Sequence, residues 1–432
     1  MDILLKGGHV VDPATDLDST ADIFIKGEKV ADVGKNLKAT GAKMIDCKGK
    51  IVLPGLIDMH THLRQPGRED EETFITGGRA ALKGGFTSVL CMANTNPPVD
   101  NKGVVEYIYA ESAKADLVNI YTVGAVTKGL EGKELTEIGQ IFEAGAKALS
   151  DDGRPIMDAE LMRRALEYTK MFGLPIISHC EDLNLSRNGV MNEGFISTKM
   201  GLKGVPRAAE IVMVMRDIEL AQLTLSRVHI AHVSTKESVE LIRQAKKKKI
   251  DVTCETCPHY FTLTEEAVSG FNTSAKVNPP LRTKEDVEEL KKGLADGTID
   301  AIATDHAPHT EEEKDIEFDL AASGMIGLET ALPLVYMELV IKGVLKWSEA
   351  AERMSLNPAK ILGLSGKGSL KPGSDADVTV FDPEANWVVE AKSLESKSKN
   401  TPFIGKKLNG AVELTIVGGK IKFEGGAVWG AE

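Results

Sequence analysis

His60 and His62 stand two apart in the segment GLIDMHTHLR. On a β-strand, side chains two apart share a face, so both imidazoles can reach one cation. An isolated pair of this kind is as often a pair of ordinary hydrogen-bonding histidines. Three further residues shift the balance. His179 closes the apolar run PIISH, His232 is next to last in RVHIAHV, and Asp305 closes DAIATD. Four histidines and a carboxylate at the ends of apolar runs are poorly explained by packing, because a buried imidazole needs satisfied partners. Imidazole with carboxylate favours zinc, with cobalt, manganese and iron as the other cations such a set holds. Two histidine pairs imply two ions roughly 3.5–4 Å apart, and such a pair needs a bridging anion. The segment GAKALSDDG offers two: Asp152 directly, or Lys147 with its amine carboxylated. Their separation is odd, so a regular strand cannot aim both inward.

Something must bring these residues together. From Pro54 to about residue 365 the sequence alternates short apolar runs with helical patterns. The runs GLIDMHTH, TSVLCMAN, VNIYTVG, AKALSDD, PIISH, RVHIAHV, DVTCE and DAIATD read as strands. Their apolar character suits a parallel sheet covered on both faces. Between them lie helical segments, among them PRAAEIVMVMRDIELAQLT, where Ala208, Ile211, Met215 and Ile218 are spaced to share one face. Strand and helix in alternation predict an α/β fold, a (β/α)8 TIM-type barrel. The connections 181–205, 256–284 and 308–327 are long and leave the C-terminal strand ends, the face where such barrels place their chemistry. Both chain ends read as short, turn-rich strands. The expected division is residues 1–53 and 366–432 as two parts of a small composite β-sandwich, and 54–365 as the catalytic barrel.

Composition sets the outer limits. Of 432 residues, 52 are Lys or Arg and 64 are Asp or Glu, a net charge of −12. That balance argues against nucleic acid or an anionic membrane as a main partner, and it requires a locally positive pocket for any anionic substrate. No apolar run approaches membrane-spanning length, and the N-terminal segment lacks the pattern of a secretory signal. Five cysteines, an odd and sparse set, fit a reducing cytoplasm. Cys254-x-x-Cys257 has no second pair and reads as structural. The Lys246–Lys249 run closes a helix and is expected to lie in solvent.

The motifs DMHTHLRQPG, CMANTNPPVDN, SDDGRPI, ISHCED, HIAHVST, KVNPPLR and ATDHAPH, in this order along nearly the whole chain, resemble the dihydroorotases of the amidohydrolase superfamily, the class with aspartate as metal bridge. HxH and the later histidines are shared with hydantoinases and allantoinases; the combination of HLRQPG, SDDG and NPPLR is more specific. The resemblance implies His60 and His62 on one zinc ion with Asp305 nearby, His179 and His232 on a second, and Asp152 shared. It implies that His229 and His306 are not ligands; His229, three before His232, falls on the opposite strand face. It implies reversible cyclisation of N-carbamoyl-L-aspartate to L-dihydroorotate in pyrimidine biosynthesis. A water acidified by the metals attacks the ring carbonyl, and Asp305 acts as general base and then general acid. Arg64, Asn94 and His309 are implied to hold the substrate carboxylate, with His62 also touching substrate. Asn278 and the backbone near Ser323 and Gly324 are implied to hold the ring amide, although the family usually has an apolar residue where Ser323 stands. A homo-oligomer, and association with aspartate carbamoyltransferase, belong to the same implication. The competing readings are a hydantoinase or allantoinase, and a non-catalytic scaffold for that transferase; the intact ligand set speaks against the last.

Overall fold

The computed structural model describes residues 2–429. One 8-stranded parallel sheet holds Leu56–Thr61, Phe86–Cys91, Asn119–Gly124, Ala148–Leu149, Ile176–Ser178, Val228–Ile230, Val252–Thr256 and Ala301–Ile302, neighbours in chain order. These are the eight runs that the sequence marks as strands. Their residues are almost wholly buried, as in FTSVLC of Phe86–Cys91, because helices cover the outer face and side chains fill the inner one. The last strand returns to the first. Thr61 and His306 form a parallel bridge, and the His62 N–H donates to the His306 carbonyl at 2.8 Å. Asp58, buried beneath this seam, accepts the backbone N–H groups of His60 and Thr304 at 3.1 Å each and the Thr304 hydroxyl at 2.6 Å. Burial raises its carboxyl to about 6 despite those donors.

The helices start where capping chemistry allows. The Thr73 side chain accepts the Thr76 N–H ahead of Phe74–Lys83, and Asp158 accepts two N–H groups ahead of Ala159–Thr169. Helix Ala208–Thr224 occupies the expected segment but not the expected orientation. Ile218 is buried, yet Met215 is 50% exposed, and the buried face carries Ala209, Glu210, Met213, Val214, Asp217 and Ala221. Apolar residues surround this helix, so periodicity alone does not pick a face. Two acids pick it instead. Glu210 accepts the N–H groups of Ser234 and Thr235 at 3.2 and 3.1 Å, and Asp217 accepts the Ser178 hydroxyl at 2.6 Å. Ser178 precedes His179 and Ser234 follows His232 by two, so the helix braces two of the strand ends that matter.

Both chain ends join in a second, mostly antiparallel 9-stranded sheet. Strand Ile51–Pro54 runs parallel to Ile3–Asp12 on one side and antiparallel to Val378–Val388 on the other. It leads directly into the first barrel strand. Residues 391–403 leave this sheet and cross to the barrel mouth. There Ser396 Oγ donates to Glu72, Ser398 Oγ donates to the Glu71 carbonyl, and the Asn400 amide donates to the carbonyls of Ala307 and Gly324 at 3.0 and 3.1 Å. Among the described residues, no helix is long and apolar enough to cross a membrane.

Candidate metal centre

The strand ends deliver the histidines. His60 lies within the first strand and His62 just past it; His179 follows the fifth, His232 the sixth, and Asp305 the eighth. Their atoms converge on Asp152. The nitrogens His60 Nε2, His179 Nδ1 and His232 Nε2 each lie 3.5 Å from Asp152 Oδ1, and His62 Nε2 lies 3.5 Å from Oδ2. Asp305 Oδ1 is 3.1 Å from His62 Nε2 and 3.6 Å from His60 Nε2. His179 Nδ1 and His232 Nε2 are 2.8 Å apart. Among the described residues three groups have ligand atoms close enough for one ion: His60 with His62 and Asp305, His60 with Asp152 and His232, and, at the rim, Glu71 with His309 and Glu313. The backbone bends sharply to allow this. Arg64, His232 and Asp305 have φ of +61°, +33° and +49°, a region that non-glycine residues seldom occupy and that clusters at functional sites.

The rim beside the cluster is polar. Asn94 Oδ1 lies 2.9 Å from His62 Nδ1, and Arg64 Nη2 lies 3.3 Å from His309 Nε2. Asn278 donates to Glu181 at 2.8 Å and lies 3.4 Å from His179 Nε2. Ser323 is exposed and offers its carbonyl to His309 Nε2 at 3.0 Å. Gly324 has φ of +142°, and a Cβ there would come within 2.7 Å of Ala307 Cβ. Its N–H is taken by the Lys276 carbonyl.

Residues 51–422 match the amidohydrolase family model. The chain belongs to the amidohydrolase family. It is 57% identical over 421 residues to a protein of Pelotomaculum thermopropionicum named dihydroorotase, covering 98% of each chain. It is 56% identical to a dihydroorotase of Geotalea daltonii, covering 98% of this chain and 99% of that one. Among solved structures, the L-hydantoinase (dihydropyrimidinase) of Arthrobacter aurescens superposes with a TM-score of 0.90 at 28% identity, covering 99% of this chain and 97% of that one.

Do the residues of this amidohydrolase suit a metal? His60 Nε2 and Asp152 Oδ1 are buried without a hydrogen-bond partner among the described residues. Spacings near 3.5 Å are long for hydrogen bonds. They match ligand atoms around a tetrahedral ion, which lie roughly 3.3 Å apart when each bond is 2.0–2.1 Å. The electrostatics agree. Burial opposes a charged His60 ring, yet Asp152 and Asp305 outweigh it and hold the imidazole well above its usual range. Against the same burial, the histidines hold Asp152 and Asp305 well below theirs. Protons on these rings answer the same negative field that a cation would. The donor set fits a metal centre.

Lys147 is half-buried just before the fourth strand, and its N–H donates to the Thr122 carbonyl. Asp151 explains how Asp152 is aimed: it accepts the N–H groups of Val126 and Thr127 at 2.8 and 3.0 Å, pinning the turn. His306 meets Glu72 at 3.2 Å and accepts the Gly327 N–H. Simple alternation fails for His229. The strand ends at Ile230, and the turn at His232 breaks the parity. His229 Nε2 lies 3.3 Å from Glu255, whose other oxygen lies 2.7 Å from His60 Nδ1. Cys254 and Cys257 are buried free thiols, and no candidate metal group among the described residues contains them. Lys247–Lys249 are exposed, but Lys246 pairs with Asp300 at 2.6 Å.

Several carboxylates that sequence reasoning passed over support the centre. Glu255 and Glu181 each orient a proposed ligand; although burial opposes it, His229 and His60 hold Glu255 down to about 2, and His179 does the same for Glu181. Glu71, buried, lies 2.8 Å from Arg64 Nε and 3.0 Å from His309 Nδ1. A histidine ligand usually donates its second nitrogen to such a group. No local motif announces these partners; His60 and Glu255 are 195 residues apart.

Proposed function

We propose that this amidohydrolase is a dihydroorotase, interconverting N-carbamoyl-L-aspartate and L-dihydroorotate in pyrimidine biosynthesis, with two zinc ions held by His60, His62, Asp152, His179, His232 and Asp305. One observation carries the substrate assignment: Arg64 and His309 lie side by side at the rim of the histidine–carboxylate cluster, 3.3 Å apart. In a chain of net charge −12 the Arg64 guanidinium, braced by Glu71, supplies charged N–H donors where the carboxylate retained by the ring can dock, with His309 and Asn94 beside it. The near full-length likeness to proteins named dihydroorotase supports the same choice.

Bound zinc would supply Lewis-acid polarisation of the ring carbonyl and an acidified water. The protein's residues do the rest. Arg64 can grip one carboxylate of the substrate in a paired, charge-assisted contact. Asn278 is oriented by its donation to Glu181, which leaves its carbonyl oxygen to accept the ring N–H. Asp305, kept ionised by His60 and His62, takes the proton of the attacking water and passes it to the leaving amide nitrogen; in the ring-closing direction it takes the proton of the ureido nitrogen. Gly324 acts through its absent side chain, leaving room beside His309.

Parallel assays with dihydroorotate, dihydrouracil, hydantoin and allantoin test this reading. Dihydroorotate should be strongly preferred, because the others lack the carboxylate that Arg64 and His309 would hold. A preference for any of the other three overturns it.

A further inference from the structure

The stretch 318–324, which ends at Ser323 and Gly324, contains neither helix nor strand. Its carbonyls nevertheless point inward, onto two lysines. Lys276 Nζ donates to the carbonyls of Phe318, Asp319 and Ala321 at 2.7, 3.0 and 2.6 Å, which uses all three ammonium protons. Lys314 Nζ donates to those of Ala322 and Gly324 at 2.7 and 3.0 Å. Both lysines are buried, 4% and 6% exposed. Among the described residues, neither has a carboxylate within ion-pair distance. Burial without a counter-charge is an unfavourable setting for an ammonium. Burial, with the neighbouring Lys276 charge, pulls Lys314 down to about 7 although Glu313 opposes this.

We propose that Lys276 and Lys314 are positioning residues for the reaction, caging the carbonyls of 318–324 so that Ser323, Gly324 and the His309 ring keep the shape that receives substrate. This rests on the dihydroorotase reading of the rim. Two links tie the cage to the site. The Lys276 carbonyl accepts the Gly324 N–H at 2.8 Å, and Lys276 stands two residues before Asn278, so one residue couples both segments expected to face the ring amide. The Ser323 carbonyl meets His309 Nε2 at 3.0 Å, and a Cβ on Gly324 would stand 3.0 Å from the same nitrogen. A shift of this stretch by the width of one atom would therefore displace or free the imidazole. Removing the Lys276 ammonium would orphan three carbonyls; removing that of Lys314 would orphan the Ala322 carbonyl and leave Gly324 held by Asn400 alone. Either loss would let the stretch turn outward to water.

The test uses the metal-loaded enzyme and its variants Lys276→Met, Lys314→Met and Lys314→Arg. Metal content, KM and kcat in both directions, and deuterium uptake of a peptide spanning 315–325 are measured together. The methionine variants should keep their metal, take up deuterium faster in this peptide, and raise KM by about tenfold with a smaller fall in kcat. Lys314→Arg, which keeps charge and donors, should recover part of the KM. Faster uptake with unchanged KM would reduce the cage to a structural brace and overturn the proposal, as would unchanged uptake. If the methionine variants do not fold, the wild type decides: bound dihydroorotate should slow uptake in 315–325, and no change overturns the proposal. If the wild type ignores dihydroorotate but turns over dihydrouracil or hydantoin, the dihydroorotase reading fails while the cage is tested with that substrate.

Discussion

The two halves of the barrel mouth are built by different means. The metal-facing half comes from the ends of β-strands, where the backbone is tied into the sheet and each ring has one place to go. Its partners are compact: one oxygen of Asp152 meets three imidazole nitrogens at 3.5 Å. The half proposed to face substrate comes from the connections after the first, second, seventh and eighth strands, braced by residues 391–403. It is held by hydrogen bonds through Glu71, Asn400, Lys276 and Lys314. On the proposed function, the first half would hold the metal and the second would select the substrate. Damage to the first should therefore appear in turnover or metal content, and damage to the second in KM.

The largest effect is expected from Asp305→Asn. Turnover should fall about 10²–10⁴-fold while metal analysis finds the ions still bound, because the remaining ligands are intact. Loss of metal with full turnover per remaining ion would remove Asp305 from its proton-carrying role. Glu255→Gln probes the support beneath His60. Metal affinity should weaken about 10–100-fold, read by competition with a chelator, and activity should return with added zinc. Arg64→Ala should raise KM for dihydroorotate about 10–100-fold, the worth of a charge-assisted hydrogen bond, with metal content unchanged. If it instead strips the metal, the division into two halves is wrong. The smallest effect is expected from Lys147→Ala: metal content and turnover within about twofold of wild type, as for a surface change. Loss of one ion there would mean that a carboxylated lysine bridges the pair in place of Asp152.

The same division marks what could be read from the sequence. His60, His62, His179, His232 and Asp305 stand out because each lies at or just past the end of a short apolar run. The barrel was visible for the same reason. The face of helix Ala208–Thr224 was not, because apolar residues surround it and the deciding partners of Glu210 and Asp217 lie on other elements. His229 was misplaced because alternation stops at Ile230, where the strand ends. Glu255, Glu71 and Asn400 gave no signal. A buried acid or amide is distinguished only by its contacts, and deciding ones here span 76 to 238 residues. Lys276 and Lys314 look like surface residues in any composition count; only the inward carbonyls of 318–324 show otherwise.

The seam between Thr61 and His306 carries a consequence for how the protein is made. His62 and Asp305 are 243 residues apart, and the first and last strands must meet before both face the same space. A nascent chain that has released only its first seven strands owns Asp152 and the four histidines clustered around it but no Asp305. Closing so long a loop is entropically slow, and it is completed only when the final strand docks beside Asp58. Full occupancy of the centre would thus mark a finished ring, so metal uptake during refolding would time the slowest step of assembly.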